Sequence, residues 1–196
     1  MRVIDVEIKK AILGRNELPM PNIEYCGGWR DFANMGLAVV CGYDLDTGLS
    51  RCFHPEEPGA MMELQGYVAD VPTAGFNTRG FDIPLLEANG IKIEPKLHFD
   101  ALRAIWKTLG LDPDNYNHKT HGGWSLDNIM QNTFGMSKSG NGALAPVWWQ
   151  QGRKGRTTDY CLRDVWLEGQ LIRAIREGKP IRKDNSGAAL VVQMVQ

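Results

Sequence analysis

The chain has 196 residues, with 22 Lys+Arg against 23 Asp+Glu and a net charge of −1, and 43% of its residues are hydrophobic and 23% charged. That balance excludes a disordered chain, the length suits one domain with or without a tail, and no apolar run approaches the ~20 residues of a membrane span. Asp5, Glu7, Lys9 and Lys10 fall where an export signal would be apolar, so a cytoplasmic location is expected and Cys26, Cys41, Cys52 and Cys161 are expected to stay reduced. Charge is unevenly spread: residues 151–183 hold nine Lys/Arg against four Asp/Glu, leaving an acidic remainder. A polyanion would be drawn to that end, although on charge alone a solvated helix surface is the simpler account.

The first element is a β-branched run, Val3 to Ile8, interrupted by Asp5 and Glu7. Residues 9–34, with Gly14, Pro19, Pro21, Gly27 and Gly28, read as a long irregular connection. Met35 to Tyr43 is a buried strand, Asp44 to Gly48 a hairpin turn, and Leu49 to His54 the antiparallel partner. Met61, Met62, Leu64, Tyr67 and Val68 have helical spacing. A strand over Thr73–Asn77 precedes a helix over Asp82–Asn89, with Asp82 as its N-cap. Leu97 to Phe99 is a short strand, and Asp100 caps a helix through Leu109. Ser125 starts another helix, residues 135–142 form a Gly/Ser loop, and a short helix spans Pro146–Gln151. The last helix is expected from Thr157 or Thr158 to Glu177. The tail, Ser186 to Gln196, reads either as an edge strand or as a partly ordered end. A hairpin followed by alternating helices and strands suits a mixed α/β sheet flanked by helices.

Asp5 and Glu7 lie two apart on a strand and share a face, while Ile4, Val6 and Ile8 share the other. Adjacent carboxylates repel unless a cation, a shared proton or full hydration relieves them, and Mg²⁺ favours carboxylate oxygen. Tyr160 and Asp164 are four apart and share a helix face beside the apolar stripe of Cys161, Val165, Ile172 and Ile175. Each residue alone has an ordinary explanation: a solvated strand face, a helix cap, a half-buried aromatic, a surface acid.

Together they form a pattern. Ile4-Asp5-Val6-Glu7, Gly75-Phe76-Asn77-Thr78-Arg79-Gly80-Phe81-Asp82 and Tyr160-Cys161-Leu162-Arg163-Asp164 occur in that order. They resemble the three motifs of the DEDD superfamily of 3′–5′ exonucleases, which have an RNase H-like fold. The Tyr-x-x-x-Asp form of the third motif resembles the DEDDy subgroup, which includes polymerase proofreading domains. Asp159 stands where the histidine-bearing subgroup would have His. Ser125-Leu-Asp-Asn, Lys138-Ser-Gly-Asn-Gly and Pro146-Val-Trp-Trp look like segments of uncharacterised bacterial and phage members. The resemblance covers residues 1 to about 178 and leaves 179–196 as a tail. One departure is Ile8, where many relatives have Thr.

The resemblance implies a five-stranded mixed sheet, an antiparallel hairpin plus parallel strands, flanked by helices. It implies a metal-dependent exonuclease that shortens single-stranded nucleic acid, with DNA ranked ahead of RNA, from the 3′ end to mononucleotides. Two Mg²⁺ or Mn²⁺ ions would be held by Asp5, Glu7, Asp82 and Asp164, with Tyr160 orienting the attacking water. Four acids against two divalent cations balance in charge, so metal should stabilise the fold. Asn77 and Phe81 would meet the terminal nucleotides, and Lys138, Arg153, Lys154 and Arg156 would grip phosphates. Implied partners are 3′ ends of single-stranded DNA or RNA and, for any proofreading role, a separate polymerase or replication/repair protein, in a bacterial or phage-infected cell. Rival readings are a structure-selective endonuclease of the same fold, a non-catalytic nucleic-acid adaptor, and a zinc module at His118, His121, Cys52 and His54. The zinc module lacks a Cys-x-x-Cys pair, and loop histidines account for it better.

Overall fold

In the computed structural model, which describes residues 1–186 and 188–194, the alternating charge pattern of the first strand governs the layering. The strands are β1 (Arg2–Ile8), β2 (Ala11–Ile12), β3 (Tyr25–Cys26), β4 (Leu37–Asp44), β5 (Ser50–Phe53), β6 (Thr73–Gly75) and β7 (His98–Asp100). The helices are α1 (Phe32–Met35), α2 (Ala60–Val68), α3 (Asp82–Ala88), α4 (Ala101–Thr108), α5 (His118–His121), α6 (Leu126–Phe134), α7 (Ala145–Gln150) and α8 (Lys154–Arg176). The main sheet runs β5-β4-β1-β6-β7. Its β5-β4-β1 half is antiparallel and its β1-β6-β7 half parallel, the mixed five-stranded, RNase H-like arrangement expected.

Side chains alternate across β1, so Ile4, Val6 and Ile8 join one core with Val40, Phe53, Leu64, Leu85 and Leu86, under α2 and α3. Val3 points the other way, into a second core with Val39, Cys41, Ala74, Val165, Leu171 and Ile172, under α8. Asp5 and Glu7 continue that α8-facing side, opposite Cys41 and Val39 in register. Close approach of α8 to the sheet depends on Gly169, where an added Cβ would stand 2.4 Å from a ring carbon of Tyr43.

Several boundaries differ from expectation for local reasons. The second main strand begins at Leu37 rather than Met35, because Met35 closes α1 and Gly36 then turns through φ 66°. The strand at Thr73 ends at Gly75, since Asn77 adopts φ 61°. The strand at Leu97 begins at His98, after a 3₁₀ turn over Pro95–Leu97. α8 begins at Lys154, ahead of the two threonines that look like caps. Thr157 instead donates to the Ala145 carbonyl at 3.1 Å, tying α8 to α7, and Thr158 donates back to the Lys154 carbonyl. Asp82 is not the N-cap of its helix but its first residue, with Phe81 at the cap position. The connection over 9–34 contains α1 and a small parallel ribbon of β2 and β3. Asp100 and Ser125 cap as expected. In the tail, Leu190 makes a single antiparallel bridge to Ile181, and Val192 is buried in the α8-side core; Val195 and Gln196 lie outside the described residues.

Candidate metal centre

At the end of β1 the α8-facing side changes from apolar to acidic, and α8 meets it with acid of its own. One carboxylate oxygen each from Asp5, Glu7 and Asp164 lie within 4.8 Å of one another, the one such group of His, Cys, Asp or Glu ligands found among the described residues. Cys161, one turn before Val165, donates its thiol to the Asp5 carbonyl at 3.5 Å and sets α8 against β1. The Tyr160 and Asp164 spacing of four places both on that face, and both are buried. Tyr160 is therefore not the half-exposed aromatic with a wet hydroxyl that its position alone would suggest. Trp148 packs edge-on against its ring at 6.0 Å, and the backbone at Gly140 and Gly142 lies over it.

Lys138, from the Gly/Ser loop, reaches into the acidic group. Its ammonium stands 2.6 Å from Asp164 Oδ2 and 3.3 Å from the Tyr160 hydroxyl. Burial works against that charge, but Asp164, Tyr160 and Asp5 outweigh it and hold the lysine above its usual pKa. Burial, reinforced by Asp164 and Glu7, keeps the Tyr160 hydroxyl a phenol at neutral pH.

The carboxylates are strained electrostatically. Burial and then the Asp164 charge push Asp5 up to about 7. Glu7 is raised well above the usual carboxylate range by burial, Asp5 and Asp164. Asp82 lies outside the 4.8 Å group, yet burial and the Asp5 charge raise it in the same way. Asp5 Oδ2 and Asp164 Oδ1 are buried with no hydrogen-bond partner among the described residues. Orphaned carboxylate oxygens at this spacing suit a hard divalent cation such as Mg²⁺ or Mn²⁺, which takes oxygen ligands and relieves like-charge repulsion.

Asp82 is delivered by a loop that Asp100 organises. The Asp100 carboxylate accepts the backbone N–H groups of Asn77 and Arg79 on one side and of Leu102 and Arg103 on the other. Thr78 pairs with His98 Nε2 at 2.6 Å beneath the same loop. Asn77 is exposed in the loop. Phe81 is half-buried, edge-on to both Phe32 and Trp29 at 6.0 Å. Trp29 is 70% exposed, a large aromatic beside the second motif that its irregular surroundings did not single out.

Arg153 stands at the N-cap of α8, and Lys154 and Arg156 lie in its first turn. Lys154 pairs with Glu56 and lies 4.7 Å over the Trp149 ring, while Arg156 lies 4.1 Å over Trp148. His121 is taken up structurally, with Nε2 2.9 Å from the Asp112 carbonyl. Glu168 was not anticipated either. It is 4% exposed and follows Asp164 by one helical turn, and the same spacing of four that joins Tyr160 to Asp164 extends to it. No protein-family model matches the chain, and a search of curated proteins finds no match.

Proposed function

We propose that the chain is a metal-dependent 3′–5′ exonuclease that hydrolyses single-stranded nucleic acid, DNA in preference to RNA, to mononucleotides. The observation that carries this reading is the meeting of Asp5, Glu7 and Asp164 carboxylate oxygens within 4.8 Å, beside the Tyr160 hydroxyl. Asp5, Glu7 and Asp164 would hold one cation, and Asp5 with Asp82 a second. Paired divalent cations supply an activated water and stabilise charge on the departing 3′ oxygen.

The chain's own residues do the remaining work. Tyr160 stays protonated and buried, so its hydroxyl orients the attacking water rather than removing its proton. Lys138, the cation nearest Asp164, is placed to meet a non-bridging phosphate oxygen once the carboxylate's charge is otherwise satisfied. Phe81 and the exposed Trp29 offer apolar faces on which terminal bases can stack. The basic start of α8 offers Arg153, Lys154 and Arg156 to the backbone further along the strand.

The test is digestion of matched single-stranded DNA and RNA, linear and circular, labelled at either end, with Mg²⁺ or Mn²⁺. The expected result is mononucleotides from linear DNA 3′ ends, abolished by Asp5→Ala and by Asp164→Ala in folded protein. Cleavage of the circular strand would favour the endonuclease instead. A linear strand left intact with metal present would refute the nuclease reading.

A further inference from the structure

The loop that delivers Asp82 also forms one wall of a groove of about 530 Å³, within the size range of small-molecule pockets. Asn77 and Gly80 line it from the loop, Arg30 from the segment before α1, Arg103 and Trp106 from α4, and Tyr116 from the connection that follows α4. Tyr116 is 57% exposed, yet its ring is held in place, with its centroid 5.8 Å from that of Trp106 and 5.5 Å from that of His121. Trp106 is itself buried and fixed, its indole N–H donating to the His121 carbonyl at 3.2 Å. The result is a rigid aromatic wall with one ring open to solvent. Among the described residues, no Asp or Glu lines the groove, in a chain that has 23 of them. Arg103 is paired with Asp114 at 2.6 Å, which leaves the exposed Arg30 as the guanidinium able to meet an anion. A fixed, open ring near an exposed guanidinium offers a nucleotide a face for its base and a cation for its phosphate.

Resting on the single-strand reading above, we propose that this groove holds a nucleotide of the strand on the 5′ side of the terminal one, with its base on the Tyr116 ring and its phosphate at Arg30. Continuity with the terminal-base contacts argues for that occupant. Trp29 and Arg30 are neighbours in sequence, and Trp29 lies edge-on to Phe81, the residue directly before Asp82. Asn77 and Gly80 belong to the same loop as Phe81 and line the groove. A strand with its 3′ end at the acidic group and its terminal base against Phe81 or Trp29 therefore runs past the loop into the groove. Only the 5′ side of a strand continues beyond a 3′ terminus, so the nucleotide in the groove is an upstream one.

The test is equilibrium binding of a 5′-fluorescent oligothymidylate, in EDTA so that cleavage is off, read by anisotropy over a range of salt concentrations. Tyr116→Ala is expected to weaken binding by roughly 5–100-fold at every salt concentration, through lost stacking. Arg30→Gln is expected to weaken it as well and to make the slope of log affinity against log salt shallower by about 0.7, the value for one phosphate contact on a single strand. If Tyr116→Ala does not fold by circular dichroism, Tyr116→Leu replaces it, with the same loss expected because it has no ring. Both variants binding the strand as tightly as wild type, with an unchanged salt slope, would overturn the groove while leaving the exonuclease reading standing. Tyr116→Ala that weakens thymidine monophosphate but not the strand would assign the groove to free nucleotides and overturn the proposal. Weaker binding by both variants of a strand that wild type leaves intact in Mn²⁺ would uphold the groove and refute the exonuclease. Wild type that binds no single strand would overturn both.

Discussion

Metal-free protein is expected to lose stability as pH rises from 5 to 8, and Asp5 provides the measurable part. Its pKa is 3.8 when unfolded and about 7 when folded. Between those values the folded state binds the proton and the unfolded state does not, so raising the pH favours unfolding. Integrated from pH 5 to 8, that single group removes on the order of 2–3 kcal/mol. Glu7, Asp82 and Glu168 are pushed in the same direction, so the whole protein should fall further. His98 acts oppositely. Burial lowers it to about 3, so its contribution is full above its unfolded value of 6.5 and is lost as pH falls. The assay is urea unfolding of wild type and Asp5→Asn, stripped of metal, at half-unit steps across the window. Subtracting the two profiles cancels His98 and leaves the dependence of Asp5 together with that of the carboxylates its charge acts on. Wild type should lose on the order of 2–3 kcal/mol relative to the variant by pH 8, and Mn²⁺ added at pH 8 should restore it. A flat difference, or one that rises with pH, would refute the picture of a carboxylate forced to keep its proton.

Three further outcomes follow from particular contacts. Gly169→Ala puts a methyl group 2.4 Å from the Tyr43 ring, so it should destabilise by about 1–3 kcal/mol in urea unfolding, and an unchanged midpoint would mean α8 can move off β4 freely. Asp100→Ala removes acceptors for four backbone N–H groups, two in the motif loop and two at the start of α4, and should cost about 2 kcal/mol or more with faster amide exchange at Asn77 and Arg79. Trp29→Ala should leave the unfolding midpoint within about 0.5 kcal/mol because the side chain is largely exposed, but raise KM for single strands by roughly 5–100-fold if a base stacks there. Unchanged KM would remove Trp29 from the substrate path.

Much of the site was legible before any fold was known because its signals are local. Alternation along a strand places Asp5 with Glu7, and a spacing of four places Tyr160 with Asp164, whatever surrounds them. Capping chemistry likewise identified Asp100 and Ser125, since a side-chain oxygen satisfying the first helical N–H groups needs only neighbours in sequence. Asp82 was read as a cap by the same logic, but it enters the helix as its first residue, and its carboxylate is buried near Asp5. Thr157 and Thr158 misled similarly, because their hydroxyls bond to carbonyls that only the packed α7–α8 corner and the extended helix supply.

The sequence by itself determined which side chains share a face, because that follows from the 2.0- and 3.6-residue periods of the backbone. Only the tertiary structure decided which faces meet. The pairing of Lys138 with Asp164, the exposure of Trp29 beside Phe81, and the burial of Glu168 against Gly75 all join segments far apart in the chain. Their energies depend on desolvation and long-range charge, and those exist only once the sheet has brought α8 down onto β1.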